Sequence, residues 1–104
     1  MPWIKLQSEY PDLDKYKAPN EAIVYYEKNT YTYHNPYGPA YITIYGDKFY
    51  FKKGSFHRLD GPARILPPGN ETYYINGQFL TEEEFEKHPE RLKFLGKEHL
   101  IFLI

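Results

Sequence analysis

The chain has 104 residues, with 13 basic and 14 acidic side chains, a formal net charge of −1 and no cysteine. This length suits one domain, and the balanced charge gives no general attraction to nucleic acid or an anionic membrane. Without cysteine there are no disulfides, no thiolate metal sites and no thiol nucleophile. No apolar run reaches the roughly 20 residues that span a bilayer, and the amino terminus does not resemble a signal peptide. We therefore expect a cytoplasmic protein without cofactor, membrane contact or direct nucleic-acid binding.

Aromatic residues make up 19% of the chain, mostly as 12 tyrosines and seven phenylalanines. Tyrosine favours strands and is amphipathic, so this composition indicates a sheet with large aromatic side chains on at least one face. We predict a mainly β fold, an antiparallel β-hairpin repeat meander with a short C-terminal helical cap and a terminal strand.

In chain order, residues 1–21 are predicted to be an irregular lead-in, in which Asp12 caps at most one turn that is too short for a stable helix. A β-branched and aromatic run then predicts a strand over residues 22–26. A turn at Asn29-Thr30 and an alternating run over residues 31–33 complete a hairpin.

The centre of the chain is an internal repeat. Residues 34–56 align without a gap on residues 57–79, at a spacing of 23 residues. The identical pairs are His34/His57, Gly38/Gly61, Pro39/Pro62, Ala40/Ala63, Ile42/Ile65, Gly46/Gly69, Tyr50/Tyr73, Gly54/Gly77 and Phe56/Phe79. A short fixed period is typical of stacked supersecondary units, so residues 22–80 are predicted to be β-repeats.

One repeat unit is predicted to contain two strands and two turns. In the first unit these are a strand over 40–45, a type II′ turn at Gly46-Asp47, a strand over 48–52 and a turn at Lys53-Gly54. Alternation along the first strand would place Ile42 and Ile44 on one face. If that face is the core, Tyr41 and Tyr45 are exposed as a protein-binding face.

The second unit is predicted to follow the same plan. Its strands are expected over 63–66 and 71–75, with a turn over 67–70 between them. Asn76-Gly77 is typical of a type I′ turn, after which residues 78–80 begin one more strand.

Residues 81–96 are predicted to form the helical cap. Thr81 and Glu84 make a capping-box sequence, a second helical piece begins at Pro89, and Gly96 ends it. Residues 97–104 are predicted to be an apolar terminal strand, buried, part of a subunit interface, or both. The interface residues of such a homo-oligomer would be Leu100, Ile101, Phe102, Leu103 and Ile104.

The candidate functional residues gather around His57-Arg58-Leu59-Asp60. In a functional interpretation Arg58 binds an anion and His57 donates or shuttles a proton. In a structural one, which we favour, Asp60 accepts backbone N–H groups in an Asx-turn and Arg58 pairs with it or with a neighbouring unit. His34 occupies the equivalent repeat position, so stacking would bring both histidines into one cleft.

Two histidines alone suit acid–base cleavage of RNA or half of a metal site. The spacing places no carboxylate that would complete either arrangement. We therefore expect neither an enzyme nor a metal site.

His57-Arg58-Leu59-Asp60-Gly61-Pro62-Ala63 and Tyr74-Ile75-Asn76-Gly77 resemble the tandem units of MORN-like repeat proteins, many of which bacteriophages and large DNA viruses encode. Residues 80–85 are similar to the way such proteins end, and the resemblance covers residues 22–88. The upstream copy departs from the motif at Asn35 and Tyr37, where Arg and Asp are expected. The resemblance implies an elongated hairpin array that acts as a binding or scaffolding surface.

Together these patterns predict a non-enzymatic protein-interaction module. A phage origin, which the resemblance suggests, would make it an inhibitor of a host defence protein in the host cell cytoplasm. The alternative is a small-ligand sponge that holds a nucleotide-like anion between basic side chains and stacked tyrosines. The candidate residues for binding a partner or ligand are His34, Tyr41, Tyr45, His57, Arg58, Asp60 and Arg64.

Overall fold

Ten antiparallel strands dominate residues 2–103, the part of the chain that the computed structural model describes. The strands are β1 (Ile4–Leu6), β2 (Leu13–Lys17), β3 (Ile23–Glu27), β4 (Tyr41–Ile42), β5 (Lys48–Phe49), β6 (Phe51–Lys52), β7 (Ser55–Phe56), β8 (Arg64–Leu66), β9 (Asn70–Ile75) and β10 (Gln78–Leu80). Eight of them form one sheet in the order β1-β2-β3-β4-β5-β8-β9-β10, and β6 pairs with β7. The predicted antiparallel hairpin meander is confirmed, in a body measuring 52 × 31 × 19 Å.

The first strands correct the predicted irregular lead-in. β1 and β2 pair with each other, and β2 pairs with β3 along its whole length. Leu13 is 2% exposed, and the buried carboxylate of Asp14 accepts a hydrogen bond from the Asn29 backbone N–H at 2.9 Å. The sequence of β2, with its alternating lysines, has weak β-propensity. The aromatic strand β3 supplies the pairing edge that β2 needs.

The loop after β4 differs from the predicted turn. The strand ends at Ile42, and Thr43 N–H donates to the Asp47 carbonyl at 3.0 Å. The connection is therefore a three-residue loop in which Gly46, at φ 89°, takes the left-handed position. Ile44 and Tyr45 lie in this loop and are 58% and 79% exposed. Ile44 is thus not a core residue, and the predicted alternation over 40–45 is wrong.

Two other turns confirm the prediction from sequence. Lys53 and Gly54 have φ of 48° and 86°, and Asn76 and Gly77 have φ of 50° and 81°. Positive φ at both central positions is what a type I′ turn requires. In both turns a glycine takes the second position, where a Cβ would be strained.

The helical cap also follows the prediction. Helix α1 (Glu82–Glu86) begins with the Thr81–Glu84 capping box, and α2 (Pro89–Phe94) is capped by the His88 side chain. Phe85 is 1% exposed and packs with Ile75 and Leu80 from the end of the sheet. None of the described helices is long and apolar enough to cross a membrane.

The predicted terminal strand is wrong, because Glu98–Leu103 forms a 3₁₀ helix. Leu100 N–H donates to the Lys97 carbonyl at 3.0 Å. Such local hydrogen bonds satisfy the backbone without a sheet edge. Leu100 and Ile101 are half-buried, and residue 104 lies outside the described residues. The assignment of residues 100–104 to a homo-oligomer interface stays a prediction.

A row of five aromatic rings crosses the repeats, and we call it the aromatic row. Successive ring centroids lie 5.0, 4.6, 4.9 and 5.8 Å apart. Its members, in order, are Tyr33, Phe51, Phe56, Tyr74 and Phe79. They alternate between two repeat positions, so each unit adds its rings to those of the unit before it.

Candidate functional site

The histidine that opens each repeat unit fastens a hairpin turn. His34 Nδ1 accepts a hydrogen bond from the Lys53 backbone N–H at 2.9 Å. His57 Nδ1 accepts one from the Asn76 backbone N–H, also at 2.9 Å. Lys53 and Asn76 are the first central residues of the two type I′ turns. Both histidines thus join their own unit to the turn that follows.

This bond decides which nitrogen of each histidine remains for other chemistry. A neutral imidazole has one acceptor nitrogen and one N–H donor. Because Nδ1 accepts in both residues, Nε2 carries the proton and offers a donor. Burial lowers the pKa of His57, and the positive charge of Lys52 acts in the same direction, whereas Glu90 opposes it. His57 therefore favours the neutral form in which Nδ1 can accept.

Asn35 fastens the loop that contains Gly38-Pro39 and leads into β4. We call this loop the first Gly-Pro joint and the equivalent loop at Gly61-Pro62 the second. Asn35 is 6% exposed, its Nδ2 donates to the Pro39 carbonyl at 3.0 Å, and its Oδ1 accepts from the Tyr37 N–H at 2.9 Å. Both ends of the side-chain amide are therefore satisfied by the backbone of its own loop. Asn35 stands where the repeat motif has Arg, and its shorter side chain still fastens the joint through these two hydrogen bonds.

Arg58 does the corresponding work in the second unit. Its Nη1 donates to the Pro62 carbonyl at 3.2 Å, and its Nε pairs with Asp60 Oδ1 at 2.8 Å. The guanidinium carbon lies 4.0 Å from the centroid of the Tyr50 ring. Arg58 was predicted to pair with Asp60 or with a neighbouring unit, and the structure shows the pair with Asp60.

The two joints form the walls of a groove of about 380 Å³, which we call the joint groove. It is lined by residues 34–38, 50–52 and 57–60 and by Phe94. His34 and His57 therefore lie in one cleft, as the stacking of units predicts. Tyr37 and Phe94 are 57% and 56% exposed and give the groove two accessible aromatic surfaces.

Three predicted binding residues lie outside the lining of the joint groove. The Arg64 guanidinium carbon is 5.5 Å from the Phe56 ring centroid, and the residue is half-buried in β8. Tyr41 is also half-buried in β4 and packs edge-on against Tyr33. Tyr45 is exposed, but in the β4–β5 loop. Tyr41 and Tyr45 therefore do not form one exposed strand face.

The joint groove also contains residues that the sequence reasoning did not select as candidates. Tyr50 stacks under Arg58, and Lys52 lies in β6. Tyr50 has a signal in the sequence, because it matches Tyr73 in the repeat register. Phe94 has none, because the packing of α2 brings it to the groove.

The described residues contain no cluster of potential metal ligands. Within residues 2–103, no three His, Asp or Glu side chains lie close enough together to hold a metal ion. Each histidine of the joint groove already uses Nδ1 in the fold. Nε2 of each carries the imidazole hydrogen and would have to lose it before it could bind a metal ion.

Comparison of the chain with family models, with curated proteins and with solved structures gave no match. The resemblance to MORN-like repeats therefore rests on the motif residues alone.

Proposed function

We propose that the chain is a non-enzymatic protein-interaction module that holds a segment of a partner protein in the joint groove. The observation that carries this proposal is the pair of aromatic side chains on the groove, Tyr37 and Phe94, each more than half exposed. Exposed aromatic residues beside a concave surface are typical anchors of protein interfaces.

The protonation of the histidines supports binding over catalysis. A general base needs a free lone pair on the nitrogen that takes the proton. In His34 and His57 the lone pair of Nδ1 is engaged by a backbone N–H, and Nε2 bears the hydrogen. Both residues therefore suit donation to a partner's carbonyl or carboxylate oxygen.

The engagement of Arg58 favours a protein segment over a nucleotide-like anion. Its Nε is paired with Asp60, and its Nη1 is bonded to the Pro62 carbonyl. An incoming phosphate would have to compete with both. Among the residues that line the joint groove, Lys52 is the cation exposed for such a ligand.

The partner class follows from the resemblance to phage and viral repeat proteins. We propose a host defence protein whose activity is inhibited when its segment occupies the joint groove. A segment with an apolar side chain next to a backbone carbonyl fits the aromatic surfaces and the imidazole donors.

The test is affinity capture from a bacterial lysate with the tagged chain, repeated with Phe94→Ala. The matched control is Phe79→Ala, which removes an equally exposed phenylalanine (57% against 56%) outside the groove lining. We expect wild type and Phe79→Ala to capture the same protein. With that protein purified, Phe94→Ala should weaken binding at least about tenfold, as expected for an interface anchor.

An identical set of captured proteins from all three chains would contradict the proposal. The small-ligand alternative is tested in parallel by the thermal shift that ATP produces. A stabilisation by ATP that Lys52→Gln abolishes, together with unchanged capture by Phe94→Ala, would favour the sponge.

A further inference from the structure

Four aromatic side chains line a second cavity, of about 310 Å³ and open to solvent, which we call the aromatic cage. They are Trp3, Tyr16, Tyr26 and Tyr31. The cage shares no lining residue with the joint groove. Its volume is at the lower end of the range for small-molecule sites, which begins at roughly 300 Å³.

The rings meet at steep angles. Tyr26, which is 7% exposed, lies between Tyr16 and Tyr31, with both ring centroids 5.6 Å away. The interplanar angles are 61° with Tyr16 and 88° with Tyr31. Rings at these angles leave an open space between their faces. Parallel stacked rings would fill that space.

Core packing explains only part of the cage. Tyr26 belongs to a core cluster with Val24, and Tyr16 packs against that cluster. Tyr31 is 83% exposed and buries little of its apolar surface, and Trp3 is 49% exposed and leaves about half of its surface in solvent. Exposed aromatic side chains grouped beside a cavity are a common feature of interaction sites, and core packing does not account for Tyr31.

The chemistry of the lining selects the class of ligand. Aromatic faces carry negative potential and attract cations. Among the described residues only aromatic ones line the cage, and no carboxylate is present to accept N–H bonds from a primary ammonium group. A fully methylated ammonium has no N–H donors that would be left unsatisfied on desolvation. We propose that the aromatic cage binds a small methylated ammonium compound of the choline type.

A cation of the chain itself already lies near one ring of the cage. Lys5 Nζ is 6.0 Å from the Tyr16 ring centroid, and Lys5 pairs with Tyr16 in the β1–β2 register. The Lys5 side chain is 63% exposed and also lies 3.8 Å from Asp14 Oδ1. A bound ligand cation would meet this positive charge, so removing it should strengthen binding.

Trp3 makes the cage directly observable, because it is the only tryptophan of the chain. We expect tetramethylammonium and choline to change its fluorescence saturably, with sodium chloride at equal ionic strength as the reference. Isothermal titration with choline provides the affinity independently of fluorescence. The neutral tert-butyl analogue of choline, which has the same shape without the charge, should bind at least about fivefold more weakly.

Two variants locate the site. Tyr31→Leu should weaken choline binding about fivefold, since it removes one cation–π contact. Tyr45→Leu, which changes another highly exposed tyrosine in a loop, should leave the affinity unchanged. Lys5→Gln should increase it.

Equal affinity for choline and its neutral analogue would overturn the proposal, because an apolar pocket alone explains that result. The proposal would also be overturned if Tyr31→Leu bound choline as tightly as wild type and kept the same unfolding temperature. The third contrary result is association with phosphatidylcholine vesicles without binding of free choline.

Discussion

At the scale of the single residue, His57 connects the repeat to its turn through one hydrogen bond. The same bond is present at His34, with the same length of 2.9 Å. A histidine that recurs at equivalent repeat positions can therefore be explained by the architecture. What it offers beyond the architecture is the Nε2–H donor on the joint groove.

We expect His57→Ala to lower the free energy of unfolding by about 1 kcal/mol, because the Asn76 N–H loses its acceptor. His57→Asn, whose side-chain oxygen can accept that hydrogen, should be affected less. The pKa of His57 is lowered from 6.5, mainly by burial. Below that value the unfolded chain binds more protons than the folded one, so stability falls as the pH falls.

Urea unfolding of wild type and His57→Asn from about pH 7 to about pH 5 checks this prediction. The stability advantage of wild type should shrink as the pH falls, since a protonated Nδ1 cannot accept. The groups that shift His57 are Lys52, Glu90 and His88, all of which the variant retains. A pH-independent difference between the two chains would contradict the assignment.

At the scale of the element, the Gly-Pro joints are built differently although they share a sequence pattern. A Cβ on Gly61 would lie 2.9 Å from Arg58 Cζ, too close for a carbon contact. A Cβ on Gly38 would be 3.9 Å from Asn35 Nδ2, which is ordinary contact. Alanine at this repeat position would therefore displace the Arg58 guanidinium at one joint and fit without displacement at the other.

Gly61→Ala should lower the free energy of unfolding by about 1 kcal/mol, because the guanidinium must leave its hydrogen-bonded place. Gly38→Ala should be neutral or stabilising by up to about 0.5 kcal/mol, since it reduces the freedom of the unfolded chain. Chemical denaturation measures both changes.

A double-mutant cycle separates this mechanism from a backbone effect. In an Arg58→Ala background the cost of Gly61→Ala should disappear, because no guanidinium remains to be displaced. An undiminished cost in that background would show that the backbone at Gly61 is responsible.

At the scale of the whole molecule, the aromatic row ties the repeats into one body. Phe56 occupies its middle and contacts both Phe51 and Tyr74, whereas Phe79 stands at its end. An interior ring loses its contacts with two neighbouring rings when it is removed. A terminal ring loses its contact with one neighbouring ring.

Phe56→Ala should therefore destabilise the fold by about 2 kcal/mol or more, and Phe79→Ala by less than about 1 kcal/mol. Thermal unfolding followed by circular dichroism gives both values. Equal costs would mean that the units are stabilised independently, and not through the row.

Several features could be predicted from sequence because their causes are local. The turns at Lys53-Gly54 and Asn76-Gly77 need positive φ, and glycine in the sequence marks that need. The capping box at Thr81 depends on residues three positions apart. The 23-residue period indicated the hairpin array, since equivalent positions form equivalent bonds.

Other features depended on partners distant in sequence. The strand β2 requires the edge of β3. The loop after β4 follows from a strand that ends at Ile42, three residues earlier than the predicted strand over 40–45. At the carboxyl end, an apolar run became a 3₁₀ helix against α2. For β2, pairing with a strand that is distant in sequence outweighed a weak local preference.

The recurring histidine and the motif Arg58-Leu59-Asp60-Gly61-Pro62 were visible in the sequence by themselves, together with the prediction that Arg58 pairs with Asp60 or with a neighbouring unit. Tertiary structure decided how each side chain is used. Nδ1 of His57 accepts a hydrogen bond from a turn, and Arg58 pairs with Asp60 and lies over the Tyr50 ring. Phe94 lines the joint groove beside them. Backbone conformation is encoded by neighbours along the chain, whereas a groove exists only where elements distant in sequence pack together.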